Sequence, residues 1–239
     1  MTLTQESIRM DKCLAPAEKA KKLSDLIDNA LIKIKAELVE HLAEIIGLTA
    51  ECRGAIVSQT PQSGVEIRAK IKSHEKKWES YEDECMKVLA LHQPVAVDLR
   101  NTMTLYKIGH DFERVSALLA KIANKLSKLD DNSEQPFTVN FISEIERVEN
   151  MLKLSKELMV KHDPNTASEI VSGNEEIKTW KKQVRESIEK SIHEQQDESR
   201  KYFVLLGILR HFTRIADLLS DIAEDLCAYR SENPNESII

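Results

Sequence analysis

Apolar residues recur every three or four positions along most of the chain, the spacing that gathers them on one face of an α-helix. From Ala17 to Ser58 the series Leu23, Leu26, Ile27, Ala30, Leu31, Ile34, Leu38, Leu42, Ile45 and Ile46 predicts one long amphipathic helix. The run Gln59-Thr60-Pro61-Gln62-Ser63-Gly64 brings proline and glycine and is expected to break it. A second helix is predicted over 65–91 and is ended or kinked by Pro94. Proline's missing N–H costs nothing in a first helical turn, so Pro94 is also suited to open the third helix, which runs to about Leu129.

The segment Asp130-Asp131-Asn132-Ser133-Glu134-Gln135-Pro136 is polar and aperiodic, and it is the best boundary in the sequence. Beyond it a fourth helix is predicted over Val139–Lys161. Asp163 is placed to cap, and Pro164 to start, a fifth helix reaching about Gln195. A sixth runs from about Glu198 to Arg230, and the tail from Ser231 to Ile239 has no packing pattern and is expected to fray.

Three long helices on each side of residue 131 suggest a duplicated unit, 1–131 and 132–239. Sliding the chain by 100 residues places Leu105, Ile108, Phe112, Arg114, Leu118, Leu119, Ile122, Ala123 and Leu126 on identical residues at 205, 208, 212, 214, 218, 219, 222, 223 and 226. Most of these are core types, which similar packing could select twice. The shared Arg114/Arg214 is not demanded by packing. The expected fold is therefore all-α, six long helices as two tandem three-helix bundles.

Composition narrows the function. Six glycines and six prolines leave little material for the turns of an all-β fold. A net charge of −6 argues against nucleic acid as partner, since such binding needs cations to neutralise phosphates. No stretch reaches 18 apolar residues, and the start, Met1 to Lys22, lacks the pattern of an export signal. No membrane insertion is expected, and a cytoplasmic setting is. Cys13, Cys52, Cys85 and Cys227 are too scattered for a metal or redox motif and read as small hydrophobes. The histidines show no H-x-x-x-H or H-E-x-x-H spacing, and no phosphate-binding glycine loop or nucleophile elbow occurs. Catalysis has no platform in these patterns. The basic run from Lys19 to Lys22 reads as a solvated helical turn. Trp78, Tyr81, Trp180 and Tyr202 are candidates either for an interface or for the core.

The stretch Gln93-Pro94-Val95-Ala96-Val97-Asp98-Leu99-Arg100 resembles the signature of the PhoU family of phosphate-uptake regulators. Lys107-Ile108-Gly109-His110-Asp111-Phe112-Glu113-Arg114-Val115 and Leu209-Arg210-His211-Phe212-Thr213-Arg214-Ile215-Ala216-Asp217 are similar to the paired E-R-I runs of that family. Asp221-Ile222-Ala223-Glu224-Asp225 resembles the run that follows the second. The resemblance implies paired three-helix bundles and homodimers. It also implies a cytoplasmic role restraining a phosphate ABC transporter together with its sensor histidine kinase.

It further implies an E/D-x-x-x-D motif in each half, where some members hold metal clusters. Carboxylates at i and i+4 lie on one helical face and can share an oxygen-seeking cation. Here each pair has lost a member: Glu113 faces Ala117, and Asp217 follows Thr213. Asp111 and Asp221 are the neighbouring acids nearest to replacing them, with Asp98, Glu224, Asp225, His74 and His110 as further candidates. What remains accommodates at most a weakly held divalent or iron ion, and restoring Asp at 117 with Glu at 213 is expected to raise metal uptake. Two other readings stand beside the regulator. A carboxylate-bridged metalloprotein or enzyme is disfavoured because no E-x-x-H recurs in matching helices. A helical adaptor unrelated to phosphate is the other.

Overall fold

The computed structural model describes residues 16–58, 61–128, 139–194 and 199–232. Six α-helices account for nearly all of them: α1 Pro16–Ser58, α2 Pro61–Lys87, α3 Ala96–Leu126, α4 Val139–Lys161, α5 Pro164–Glu194 and α6 Ser199–Glu232. A single π-helical turn, Val88–His92, extends α2. Among the described residues there is no strand. Cys13, the polar run 130–136 and the last seven residues of the tail lie outside them.

The predicted heptad-like stripe of α1 becomes a buried ladder of Ile27, Leu31, Ile34, Leu38, Leu42, Ile45, Cys52 and Ile56. Leu23 and Leu26, read as part of that stripe, are exposed, as is every residue from 21 to 26. The helices assemble as α1-α2-α3 and α4-α5-α6. The two trios join through α1 against α4 and α3 against α6, leaving α2 and α5 on the flanks. One continuous core runs through both. Arg53 on α1 crosses that junction to Glu149 on α4 at 2.7 Å and to Glu146 at 3.3 Å. Glu149 is only 5% exposed, so its carboxylate relies on the guanidinium to offset desolvation.

Three joints differ from expectation or refine it. The region read as a break at 59–64 is already helical from Pro61. Gly64 is there to admit a neighbour: a Cβ would lie 2.6 Å from the Ala123 carbonyl oxygen of α3 and from the backbone nitrogen of Ser127, which caps that helix. Pro94 does not open α3. It is buried in the turn, Val95 is extended at φ −125°, ψ 158°, and the helix begins at Ala96. Gln93 (φ 45°) and Ala96 (φ 47°) take left-handed backbone on either side of it. This turn also leaves Leu91 and Val95 at 73% and 74% exposed. The α4–α5 joint follows expectation: His162 at φ 54° closes α4 with its N–H on the Leu158 carbonyl at 2.9 Å. Asp163 Oδ1 then accepts from the Asn165 N–H at 3.1 Å and caps α5 ahead of Pro164.

Trp78, Tyr81 and Trp180 are core residues, so the interface alternative fails for these three, and Tyr202 is half-buried. Trp78 and Tyr81 pack edge-on with His41, whose ring centroid lies 4.7 Å from Trp78. Burial pushes the imidazole of His41 below its ordinary range. Cys52 and Cys85 are buried thiols, pushed up to about 12 and about 11 by desolvation, so both stay protonated and inert. Cys227 is half-buried.

Candidate functional site

All four acids singled out from sequence lie on α3 and α6, so the contact between these two helices fixes the site. Two cross-contacts define it. Lys107 on α3 reaches Asp225 on α6 at 2.7 Å. Gly207 on α6 sits under the side chain of Lys125 on α3, where a Cβ would lie 2.3 Å from the terminal carbon and nitrogen. Moving along one helix from 107 to 125 therefore means moving backwards along the other from 225 to 207, so the pair is antiparallel. A shift of 100 residues with exchange of helices converts one contact into the other. The pair thus has approximate two-fold symmetry, centred on Ser116 and Ala216. Small buried residues lie between the two contacts on both helices, Ser116 and Ala123 on α3 and Ala216 and Ser220 on α6. They let the backbones approach.

On the flank, α2 closes on α3 through another missing side chain. A Cβ at Gly109 would lie 2.1 Å from the ring of Tyr81, which is buried and donates its hydroxyl to the Leu105 carbonyl at 2.7 Å. Beside this contact a shallow cleft is lined by Glu82, Tyr106, His110 and Glu113 among others. The Tyr106 hydroxyl donates to Glu82 at 2.9 Å, which raises its pKa.

The acids do not converge. Glu113 is exposed and faces His110 at 3.3 Å. Asp111 is buried and held by Arg114 at 2.8 Å, while Asp217 is half-buried with Arg214 at 3.6 Å. The two repeat-conserved arginines thus serve one acid in each half, three positions before in α3 and three after in α6. Asp221 is exposed; Lys107 is raised chiefly by its hydrogen bond to Asp225 and Lys178 chiefly by that to Glu175, with Asp221 adding to both. Ala117 is exposed, but Thr213 is buried and turns its hydroxyl back onto the Leu209 carbonyl at 2.9 Å. A carboxylate at 213 would enter the core, so the pairing of restored acids at 117 and 213 does not suit this fold. Among the described residues no three His, Cys, Asp or Glu side chains are arranged to hold a metal ion. The donor set present does not fit a cluster.

Cations also line this face, beyond the acids that the motifs point to. Lys121, Lys125 and Arg210 crowd His211, and burial followed by these charges depresses its pKa. The signal was available in the same 100-residue slide, which sets Lys121 on Asp221 and Lys125 on Asp225.

The PhoU domain profile matches this chain twice, over residues 53–126 and 142–226, once in each trio. The chain is 31% identical over 127 residues to the phosphate-specific transport system accessory protein PhoU homolog 2 of Methanothermobacter thermautotrophicus. That alignment covers 52% of this chain and 56% of the relative, so it spans little more than half the relative's length. It is 28% identical over 145 residues to a PhoU homolog of Pseudomonas putida, with 60% and 56% covered. The crystal structure of PhoU from Pseudomonas aeruginosa superposes with a TM-score of 0.81 at 18% identity, covering 86% of this chain and 99% of that one. The regulatory protein PhoU from Streptococcus pneumoniae gives 0.79 at 20% identity, with 88% and 99% covered. These likenesses establish the fold, and no described helix is long and apolar enough to cross a membrane. With both domain matches falling on the repeated helices, this chain belongs to the PhoU family.

Proposed function

We propose that the protein is a non-catalytic, cytoplasmic regulator of phosphate uptake. It works as a homodimer that docks helical faces onto subunits of a phosphate ABC transporter and onto the associated sensor histidine kinase. The observation that carries this reading is the double PhoU domain match, one to each helical trio. The matched relatives carry the name of phosphate-specific transport system accessory proteins, which supports the same assignment. The broad outer surfaces of the helices are rich in charged side chains, the material from which protein contacts of moderate strength are made.

The test is co-purification of the tagged full chain with transporter and sensor-kinase subunits from its own host, with phosphate uptake measured in a strain lacking the gene. Capture of those subunits, with uptake released from phosphate repression and restored by the wild-type gene, is the expected result. Unchanged uptake without any captured transport component rules the reading out.

A further inference from the structure

The outer face of the α3–α6 pair is charged in opposite senses at its two ends. Lys121 and Lys125 stand five and nine positions beyond the symmetry centre on α3. Asp221 and Asp225 stand five and nine positions beyond it on α6. Because the helices are antiparallel, the lysines mark one end of the face and the aspartates the other, at matching distances from the middle. Arg210 adds to the basic end. Among the described residues Lys121, Lys125 and Arg210 have no acidic partner, which is unexpected in a chain of net charge −6. At the acidic end Asp225 is shared with Lys107, and Asp221 is exposed. Near the centre, Ala117 on α3 is small and uncharged, while its repeat counterpart Asp217 on α6 is half-buried beside Arg214, and Glu113 is exposed beside His110.

We propose that this face is the self-association surface of the protein. A second copy lies on it about a two-fold axis in the plane of contact that crosses the helices, so that the Lys121/Lys125 end of each copy covers the Asp221/Asp225 end of the other. The proposal rests on the homodimer reading above and adds the surface and the register. Charge complementarity selects the occupant: a polyanion would satisfy the lysines but be repelled by the aspartates about 15 Å or more along the same face, whereas a rotated copy satisfies both ends at once.

Charge reversal tests this on the full chain by sedimentation equilibrium. K121E/K125E and D221K/D225K each place like charges opposite one another and are expected to weaken the dimer about a hundredfold. Mixed in equal amounts they restore opposite charges at both ends and are expected to form a one-to-one heterodimer. Wild-type protein that dimerises, with both variants monomeric and the mixture dimeric, supports the proposal. Variants that stay dimeric overturn this surface while leaving the homodimer reading intact. Monomeric variants whose mixture stays monomeric overturn the charge register, and a monomeric wild type overturns both the surface and the homodimer. Helix content by circular dichroism is checked on each variant. If a double reversal unfolds, the single pair K121E and D221K carries the same comparison.

Discussion

In the first trio the third helix carries an exposed Lys121 and a half-buried Lys125, and in the second trio the corresponding positions carry an exposed Asp221 and a half-buried Asp225. Inward, Phe112 and Phe212, Ile108 and Ile208, and Leu119 and Leu219 are the same residues in the same burial. Between α1 and α4 the divergence reaches a buried position as well. Ile45 and Ile145 are both buried, as are Thr49 and Glu149, yet the first polar residue bonds its own helix at the Ile45 carbonyl and the second reaches across to Arg53. A repeated bundle has to keep the volume of its core, because interiors are packed at crystal density and a methylene lost or gained is felt. It does not have to keep the charge of an exposed position, where most substitutions cost little. At α3 and α6 the halves have diverged where divergence is cheap, whereas the buried Glu149 that corresponds to Thr49 is tolerated only with Arg53 beside it.

The equivalence of the cores is tested most harshly by Phe112→Ala and Phe212→Ala. Each is expected to remove about 3–5 kcal/mol of stability, and by similar amounts, in urea unfolding followed by circular dichroism. A phenylalanine that can be truncated with little loss would show that one trio carries the fold alone. Next in size is the contrast between the two motif positions. Thr213→Glu puts a carboxylate in the core and is expected to cost about 3 kcal/mol, whereas Ala117→Asp on the surface stays within about 0.5 kcal/mol. Elemental analysis of the Ala117→Asp protein against wild type then measures whether a restored Glu113/Asp117 pair raises divalent-metal content, as expected.

The third comparison uses the two seam glycines. Gly109→Ala collides with the buried Tyr81 ring and is expected to lose about 1–3 kcal/mol. Gly207→Ala meets only the mobile end of Lys125, which can swing away, so a gain of up to about 1 kcal/mol is expected from the reduced freedom of the unfolded chain. Equal effects at both would mean that the Tyr81 contact is slack. The smallest effect is in pH dependence. His211 has a depressed pKa when folded, from burial and then from Lys125, Lys121 and Arg210. The unfolded chain therefore binds the proton first, and stability falls as pH drops below about 6.5 toward the folded value. His211→Gln is expected to flatten part of that decline, with the part due to His41 remaining, and an unchanged slope would remove His211 from the account.

Much of the scaffold was legible because amphipathic periodicity is written by the residues of one helix alone. The bounds of α4 agree with the periodic segment, and Asp163 with Pro164 announced the next start through local chemistry. What escaped depends on a second element. Gly64 looks like a breaker until the backbone of α3 lies against it, and Gly109 reads as a weak point in a helix until Tyr81 fills the space. Trp78 and Trp180 show equally good core and interface patterns, and only the neighbouring helices decide. At the candidate site the loss of motif acids was plain from the residues, but the inward turn of Thr213 was not, since its repeat mate Glu113 faces solvent. The charge reversal between 121 and 221 was present in the aligned repeats, though its meaning required the antiparallel crossing.

The π-helical turn at Val88–His92 gives the duplicated architecture room to differ in length. Ile67 and Ile170 are buried residues six positions after the prolines that begin α2 and α5, yet Leu105 follows Ile67 by 38 positions while Leu205 follows Ile170 by only 35. A widened turn absorbs one extra residue at a helix end without re-phasing the side chains before it, and the longer start of α3, ten residues from Ala96 to Leu105 against seven from Ser199 to Leu205, carries most of the difference. Insertions and deletions therefore find a buffer at this joint, and a lineage can edit the tip of the first trio residue by residue while the packed ladders on either side keep their register.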